Sequence, residues 1–395
     1  MALGALIAAQ GKDDAGGLHA LLPLAGRTLV EYQARCAAAV GAAPIVVLVE
    51  RVPPALQAAF ERLRADGIGV IPVSDAAEAA ARFEPGLSVL QIADGIAPAP
   101  VLLADLAEET DRSIVTVPDD ESHAGFERID DDHRWSGLSR IDSGLLADTA
   151  RMLGDWDLQS TLLRRTVQAG ARLIAAPENL TPFLAGTERS PDAFDRHLLR
   201  ASESSRRDWP SRFLLPPLEN LLAAQIIRTP LRPAWLLSAA LVMVLAAGLL
   251  FTRGLAPWAL GLLLLASPLD RLAERLATVR LQPLPRSALT RRLLWPAHGL
   301  ALLGLGWFES RHGGGWGALV AAAGTIAFAE ATRIERGGRD FAGEIWLFSS
   351  RAAVFLAILF APFGWWSALT VALLIYAATS FFLVQQVVHA PRSSD

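Results

Sequence analysis

The chain has 395 residues, of which 52% are hydrophobic and 19% charged, and its mean hydropathy is +0.34. This composition excludes collagen-like, disordered and disulfide-framework proteins, and the single cysteine, Cys36, cannot form an internal disulfide. Residues 1–211 carry 20 basic and 31 acidic side chains, whereas residues 212–395 carry 16 basic and 9 acidic ones, so an acidic half precedes a basic, more apolar half.

The first half alternates between short apolar runs and stretches with helical periodicity. The runs predict strands at 2–9, 44–49, 69–72 and 88–93, and the periodic stretches predict helices at 28–40, 54–65 and 76–82. Such alternation is typical of an α/β domain with a mostly parallel sheet that helices cover on both faces. Ligands of these sheets bind beyond the carboxyl ends of the strands.

Two features lie at that predicted edge. A loop containing Gly11 and Lys12 follows the first strand, and Asp94 follows the strand at 88–93. A carboxylate at a strand end can hold Mg²⁺ bridged to phosphate oxygens, which makes Asp94 a candidate metal ligand and catalytic residue. The alternative is an ordinary Asp-Gly turn, and the chain has no Walker A motif and no spaced G-x-G-x-x-G.

Acidic residues cluster at 119–121 and 130–132, beside His123 and His133. A carboxylate–imidazole metal site is one interpretation of this cluster. A solvated hairpin or loop is the other, and it is typical of such charge runs.

The stretches Ala5-Leu-Ile-Ala-Ala-Gln-Gly-Lys12 and Leu18-His-Ala-Leu-Leu-Pro-Leu-Ala-Gly-Arg-Thr-Leu-Val-Glu-Tyr32 resemble the start of sugar-phosphate nucleotidyltransferases. The resemblance covers about residues 1–185 and implies a GT-A-like fold, with Gly11, Lys12 and His19 near a nucleotide such as CTP and Asp94 as metal ligand. His19 stands where the family has a lysine, and Asp13 stands in the region of the family's basic loop. The resemblance therefore implies that the fold is kept while nucleotide transfer is weakened.

Residues 208–232 mix prolines, arginines and apolar residues just before a long apolar run. This mixture favours a helix lying along a membrane interface, with a plain linker as the alternative. We accordingly predict a cytoplasmic domain at 1–190, a linker with an interfacial helix at 191–232, and a membrane domain at 233–390.

The second half contains six apolar runs, at 234–252, 255–269, 293–308, 316–332, 345–361 and 365–388. They predict an all-α domain with six transmembrane helices. Arginines concentrate in the connections after the second and fourth runs. By the positive-inside rule both termini are expected in the cytoplasm, with the protein in the inner (cytoplasmic) membrane.

Charged residues follow the second run. Asp270 and Glu274 are spaced to share one helical face, and Arg271 and Arg275 form a second stripe. Ionisable residues leaving a membrane helix are candidates for a functional site, although they also serve as a simple juxtamembrane cap.

The position of Asp270 resembles the start of the CDP-alcohol phosphatidyltransferase motif, D-x-x-D-G-x-x-A-R, eight residues, then G-x-x-x-D-x-x-x-D. Asp270 takes the place of the first aspartate, while Ala273, Arg291 and Trp295 stand where the other three belong. The resemblance implies that metal-assisted transfer is lost in this half, which would make it a pseudoenzyme. The arginines Arg271, Arg275 and Arg291 suit phosphate, or they only satisfy the positive-inside rule.

Taken together, the halves resemble bifunctional enzymes of phospholipid headgroup synthesis. One hypothesis is a transferase with an unusual site around Asp94 and Asp270, with Mg²⁺ expected at Asp94 and less so at Asp270. The other is a non-catalytic scaffold or regulatory subunit that binds a nucleotide or a lipid phosphate. The expected partners are membrane lipid, CTP or a CDP-linked small molecule, and a second copy of the chain or an active enzyme, but not nucleic acid.

Overall fold

The computed structural model describes residues 2–184 except 14, 15, 25 and 155, residues 208–281 except 227, 228 and 230, and residues 289–389 except 314 and 338–342. The chain divides into two compact units, residues 1–198 with 279–282 and residues 199–278 with 283–395. Each unit is described by itself.

The first unit is an α/β domain. Its strands are β1 Leu3–Ala8, β2 Pro23–Leu24, β3 Arg27–Thr28, β4 Ile45–Leu48, β5 Val70–Val73, β6 Ser88–Ile92, β7 Ile96–Ala97, β8 Ser113–Pro118, β9 Glu127–Arg128, β10 His133–Asp142, β11 Arg172–Ala175 and β12 Phe183–Leu184. The main sheet runs in the order β11-β8-β10-β6-β1-β4-β5, and β9 pairs with β10.

The sheet is mostly parallel, as predicted. Strand β10 is antiparallel to β6 and β8, and the other neighbours along the main order are parallel. All six residues of β1 and all four of β4 are buried, which explains their unbroken apolar sequences. Because β10 is reversed, its last residue, Asp142, pairs with Ser88 at the start of β6.

Helices pack around this sheet. They are α1 Leu29–Ala39, α2 Pro54–Ala65, α3 Ala76–Ala81, α4 Pro100–Glu108, α5 Ser143–Met152 and α6 Leu158–Gln168. Local sequence explains their starts. Thr28 and Glu31 form a capping box on α1, and prolines occupy the first turns of α2 and α4.

The second unit is helical over its described residues. Its helices are α7 Trp209–Phe213, α8 Pro216–Ile226, α9 Pro233–Thr252, α10 Ala256–Ala266, α11 Leu269–Val279, α12 Leu289–Arg311, α13 Gly315–Arg336, α14 Ser350–Phe360 and α15 Trp366–His389. The segment predicted to hold an interfacial helix thus contains α7 and α8.

Three of the six predicted spans are long and apolar enough to cross a membrane. They are α9, α13 and α15, with 20, 22 and 24 residues. The second run forms only the 11-residue α10, and the fifth forms the 11-residue α14 after an irregular start. Helix α12 has 23 residues, but it contains Pro296 and ends in charged residues.

These three candidate spans expose many of their apolar residues. The most apolar windows of α9, α13 and α15 are only 28%, 33% and 33% buried, a pattern that suits a lipid environment and not water. Small residues bring α9 and α12 close together, since a Cβ on Gly304 would lie 2.8 Å from the Gly248 carbonyl oxygen.

Candidate functional site

The structure brings together three of the predicted site residues at the carboxyl end of β1 and β6. The Gly11 N–H donates to Asp94 Oδ2 at 2.6 Å, and His19 Nδ1 lies 3.2 Å from Asp94 Oδ1. The fit is tight. A Cβ on Gly11 would lie 2.9 Å from His19 Nδ1 and 3.0 Å from Asp94 Cγ, so a larger residue here would displace these side chains or the loop.

The rest of the loop is held by Asp13. The Gly17 N–H donates to Asp13 Oδ1 at 2.7 Å, the Gly16 N–H donates to the Asp13 carbonyl at 2.9 Å, and the Asp13 N–H donates to the Gly17 carbonyl at 2.8 Å. Loop N–H groups of this kind form phosphate-binding nests in other proteins. Here, carboxylates and carbonyls of the chain itself accept these bonds.

Lys12 forms an exposed ion pair with Glu50, with 3.8 Å between Nζ and Oε2. Exposed pairs of this kind contribute at most about 1 kcal/mol, so Lys12 is free to exchange partners. Of the predicted phosphate ligands in this loop, Gly11 and His19 contact Asp94, whereas Lys12 pairs with a carboxylate from the loop after β4.

Donors of the chain itself contact Asp94, the predicted Mg²⁺ ligand. Both carboxylate oxygens already have donors, Gly11 and His19, and the Asp94 N–H is held by Gln159 Oε1 at 2.8 Å. Mg²⁺ takes six oxygen ligands, of which this cluster supplies those of one carboxylate, and the imidazole of His19 supplies none. No group of three or more His, Cys, Asp or Glu side chains among the described residues is arranged to hold a metal.

Three aspartates downstream of Asp94 in the sequence, Asp157, Asp192 and Asp195, are candidates for a second metal ligand. Asp157 accepts the Ser160 N–H at 2.8 Å and caps α6, which gives it a structural role. Asp192 and Asp195 lie outside the described residues.

In the helical unit, Asp270 is bound by an arginine. Arg351, at the start of α14, donates through Nη2 to Asp270 Oδ2 and through Nη1 to Asp208 Oδ2, the latter at 2.8 Å. Its Nε donates to the Ser267 carbonyl at 3.2 Å. One guanidinium therefore connects two carboxylates that are 62 residues apart in sequence.

Asp208 also begins α7. It is buried, and its Oδ1 accepts the Ser211 N–H at 2.9 Å. Burial by itself raises the pKa of Asp208, but Arg351 and the bonds from Ser211 outweigh burial and hold the pKa below its usual value. Asp208 is consequently a carboxylate, and the cluster is a buried ion-pair network.

The predicted arginines lie elsewhere. Arg271 and Arg275 are buried, and Arg275 Nη1 donates to Asn220 Oδ1 of α8 at 2.9 Å. Arg291 lies in the first turn of α12, and its side chain is outside the described part of the structure. A cavity of about 210 Å³ contains Asp270, Glu274 and Arg351 in its lining, and the described lining includes neither Arg271 nor Arg275.

The acidic cluster at 119–132 belongs to a hairpin between β8 and β10. Asp119 pairs with Arg134 at 2.5 Å and with Arg128 at 2.9 Å, and Asp130 accepts a bond from His133. These contacts support the hairpin interpretation over a metal site.

Sequence reasoning did not find Arg351, Asp208 or Gln159. Asp208 had a local signal, since Asp followed by Trp-Pro is typical of a helix start. Arg351 and Gln159 had none, because they lie 81 and 65 residues from the aspartates that they bind.

Over its N-terminal half the chain is similar to a solved structure of a glucose-1-phosphate thymidylyltransferase from Bacillus anthracis in complex with sucrose. The match covers 52% of this chain and 97% of that chain, with a TM-score of 0.39 and 10% sequence identity. No protein-family model matches the chain, and the comparison with curated proteins gives no match.

Proposed function

We propose that this chain is a non-catalytic membrane protein related to the bifunctional nucleotidyltransferase and CDP-alcohol phosphotransferase enzymes of phospholipid headgroup synthesis. It acts as a scaffold or regulatory subunit, and its partner is an active enzyme or a second copy of the chain. The ligands that it keeps are membrane lipid and, more weakly, CTP or a CDP-linked small molecule.

The observation that carries this proposal is the contact of Arg351 with Asp270 and Asp208. A guanidinium fixed between two carboxylates brings one positive charge where a divalent ion would bring two, and it offers no open coordination position for a phosphate ester. Removing it would leave the buried Asp208 and the partly buried Asp270 without their shared cation. The loop around Asp94 supports the same conclusion, since its own carboxylates accept its N–H groups.

For the membrane half we propose six helices with both termini in the cytoplasm. All six predicted runs contain a described helix. Buried apolar residues from α9, α10, α12, α14 and α15 form one cluster, which suits a bundle of membrane helices. The arginine distribution gives the orientation.

The test uses the purified full chain in detergent or nanodiscs. Incubated with CTP, Mg²⁺ and candidate polyol phosphates, it should release no more pyrophosphate than the Asp94→Ala variant. Calorimetric titration with Mn²⁺ should show no tight site. Turnover that depends on Asp94, or Mn²⁺ uptake abolished by Asp270→Asn, would overturn the proposal.

The second candidate is a transferase, and the convergence of Gly11, His19 and Asp94 favours it. In that case the nucleotide must displace the Asp13 contacts and bind with Lys12 and His19. The same assay separates the two functions, because a transferase loses pyrophosphate release in both Asp94→Ala and His19→Ala. A scaffold shows none with any of the three proteins.

A further inference from the structure

A second polar cleft lies in the α/β unit at the edge of the sheet opposite Asp94. Strand pairing places Asp142 beside Ser88, and Arg172 and Arg140 both beside Ser113. The starts of β6, β8 and β11 and the end of β10 therefore meet there. The candidate site described above lies at the other end of β6, where Asp94 follows the strand.

The cleft has a volume of about 490 Å³, which is large enough for a small metabolite. Three arginines contribute to its lining. The lining residues are Ser88, Thr110, Asp111, Arg112, Arg140, Ile141, Asp142, Ala169, Gly170 and Arg172.

Arg140 is the unusual member of this lining. It is only 3% exposed, and its guanidinium donates to the Ala107 carbonyl oxygen at 2.5 Å and to Ser88 Oγ at 3.0 Å. Both acceptors are neutral, and none of the hydrogen bonds recorded for Arg140 among the described residues goes to a carboxylate. A buried cation is costly unless an anion compensates it.

The other charges of the cleft are largely matched. Arg112 pairs with Asp142 at 2.5 Å, and Asp142 also accepts the Leu145 N–H. Arg172 pairs with Glu109 at 3.2 Å. Asp111 is exposed at the rim of the cleft. Its negative charge repels an anionic ligand, but water screens this repulsion. Arg140 at the base differs from the other two arginines, because Glu109 and Asp111 attract its charge through space and its recorded hydrogen bonds go to the neutral acceptors Ala107 and Ser88.

The rim arginines can turn toward a ligand. The side chains of Arg112 and Arg172 are 41% and 68% exposed, and their pairs with acids at the surface are weak enough to exchange. With Arg140 they supply donors from three sides, and guanidinium groups bind phosphate through two parallel hydrogen bonds.

We propose that this cleft binds a small phosphate-bearing molecule, either free phosphate or a phosphate ester, with Arg140 at the base and Arg112 and Arg172 at the rim. The inference goes beyond the proposed function, because the lining of the cleft includes neither Asp94 nor Asp270 and the binding needs neither of them.

The experiment titrates the full chain in detergent with inorganic phosphate and with glycerol 3-phosphate, and follows heat of binding and the thermal midpoint. We expect saturable binding, at least tenfold weaker in Arg140→Gln and several-fold weaker in Arg172→Gln. Arg151→Gln is the matched control, since Arg151 is exposed, pairs with Asp148 and lies outside the cleft lining. It should bind like the unmodified chain.

Arg172→Gln keeps the test valid if Arg140→Gln does not fold, because Arg172 is at the surface. Tighter binding of glycerol 3-phosphate than of phosphate would support the site and identify an ester as its ligand, whereas equal binding would support a site for phosphate alone. The proposal is overturned if neither compound saturates by about 10 mM, or if Arg172→Gln and Arg140→Gln bind as well as Arg151→Gln.

Discussion

At the scale of single residues, the loop at the end of β1 depends on the missing side chain of Gly11. In Gly11→Ala the new methyl group would meet His19 and Asp94 at about 3 Å, so the loop must shift and lose the Gly11–Asp94 hydrogen bond. We expect a loss of about 1–3 kcal/mol in the free energy of unfolding, measured by urea denaturation of the full chain.

Gly69→Ala is the control for this substitution, because a Cβ on Gly69 has no atom within 4 Å. It should leave stability unchanged or raise it slightly, since alanine restricts the unfolded chain. Equal effects of the two substitutions would show that the loop around Asp94 is not closed as described.

Arg351 permits a second test at this scale. Arg351→Gln leaves Asp208 and Asp270 without their shared cation, and we expect a loss of about 3–5 kcal/mol in stability at neutral pH. Asp208→Asn in the same chain removes one of the two anions, so the double variant should lose less than the sum of the single ones. Thermal unfolding of the unmodified chain, the two single variants and the double variant in detergent measures this double-mutant cycle.

The control is Arg333→Gln, because Arg333 is exposed and pairs only with Glu330 three residues earlier among its recorded bonds. This substitution should lower the free energy of unfolding by less than about 1 kcal/mol. If the effects of Arg351→Gln and Asp208→Asn simply add, the two residues do not act as one network.

At the scale of elements, Glu31 connects two helices. It is fully buried in α1, bonds Thr28 at the helix start, and accepts two hydrogen bonds from Arg62 of α2, at 3.0 and 2.8 Å. Burial raises the pKa of Glu31, but Arg62 and Thr28 outweigh burial and hold the pKa below its usual value.

The lowered pKa fixes the sign of a pH effect. The stabilisation by Glu31 is present above the ordinary glutamate pKa, about 4.3, and is lost as the pH falls through the lower folded value. Glu31→Gln should therefore lower the free energy of unfolding by about 2–3 kcal/mol at pH 7 and by progressively less in acid. Urea denaturation across pH 2–7 checks this, with Glu84→Gln, at an exposed position, as a control that should change little at pH 7. A cost that does not depend on pH would contradict it.

Local sequence was enough to predict four strands of the main sheet and the first three helices of the first unit, whereas α4, α5, α6 and β11 were not predicted. Predicted strands at 2–9, 44–49, 69–72 and 88–93 match β1, β4, β5 and β6 to within one residue at every end. The sheet register was not predictable, because the reversal of β10 depends on long-range pairing. For the same reason the sequence indicated Asp94 and Asp270 but not the Gln159 and Arg351 that bind them.

At the scale of the whole molecule, hydropathy counts apolar residues without showing where a helix ends. The runs at 255–269 and 345–361 were predicted as spans, but Pro268 and the irregular turn before Ser350 limit α10 and α14 to 11 residues each. An arrangement with six spans and one with three spans consequently place the turn at Phe363 and the C-terminal tail on opposite sides of the membrane. This difference can be measured.

With six spans and a cytoplasmic N-terminus, the turn at Phe363 is external and the C-terminal tail is internal. If only α9, α13 and α15 cross, Phe363 is internal and the tail is external. In both cases Ser310 is external. Single cysteines at these positions, introduced after Cys36→Ala, report the side through a membrane-impermeant maleimide added to intact cells.

We expect Phe363→Cys and Ser310→Cys to be labelled in intact cells and Ser394→Cys only after the membrane is opened. Glu335→Cys, at the end of α13, should follow Ser394→Cys and is the internal control for six spans. Labelling of Ser394→Cys but not of Phe363→Cys in intact cells would establish three spans. In that case the Asp270–Arg351 network would have its two ends on connections at opposite faces of the membrane, which a direct hydrogen bond between them does not allow.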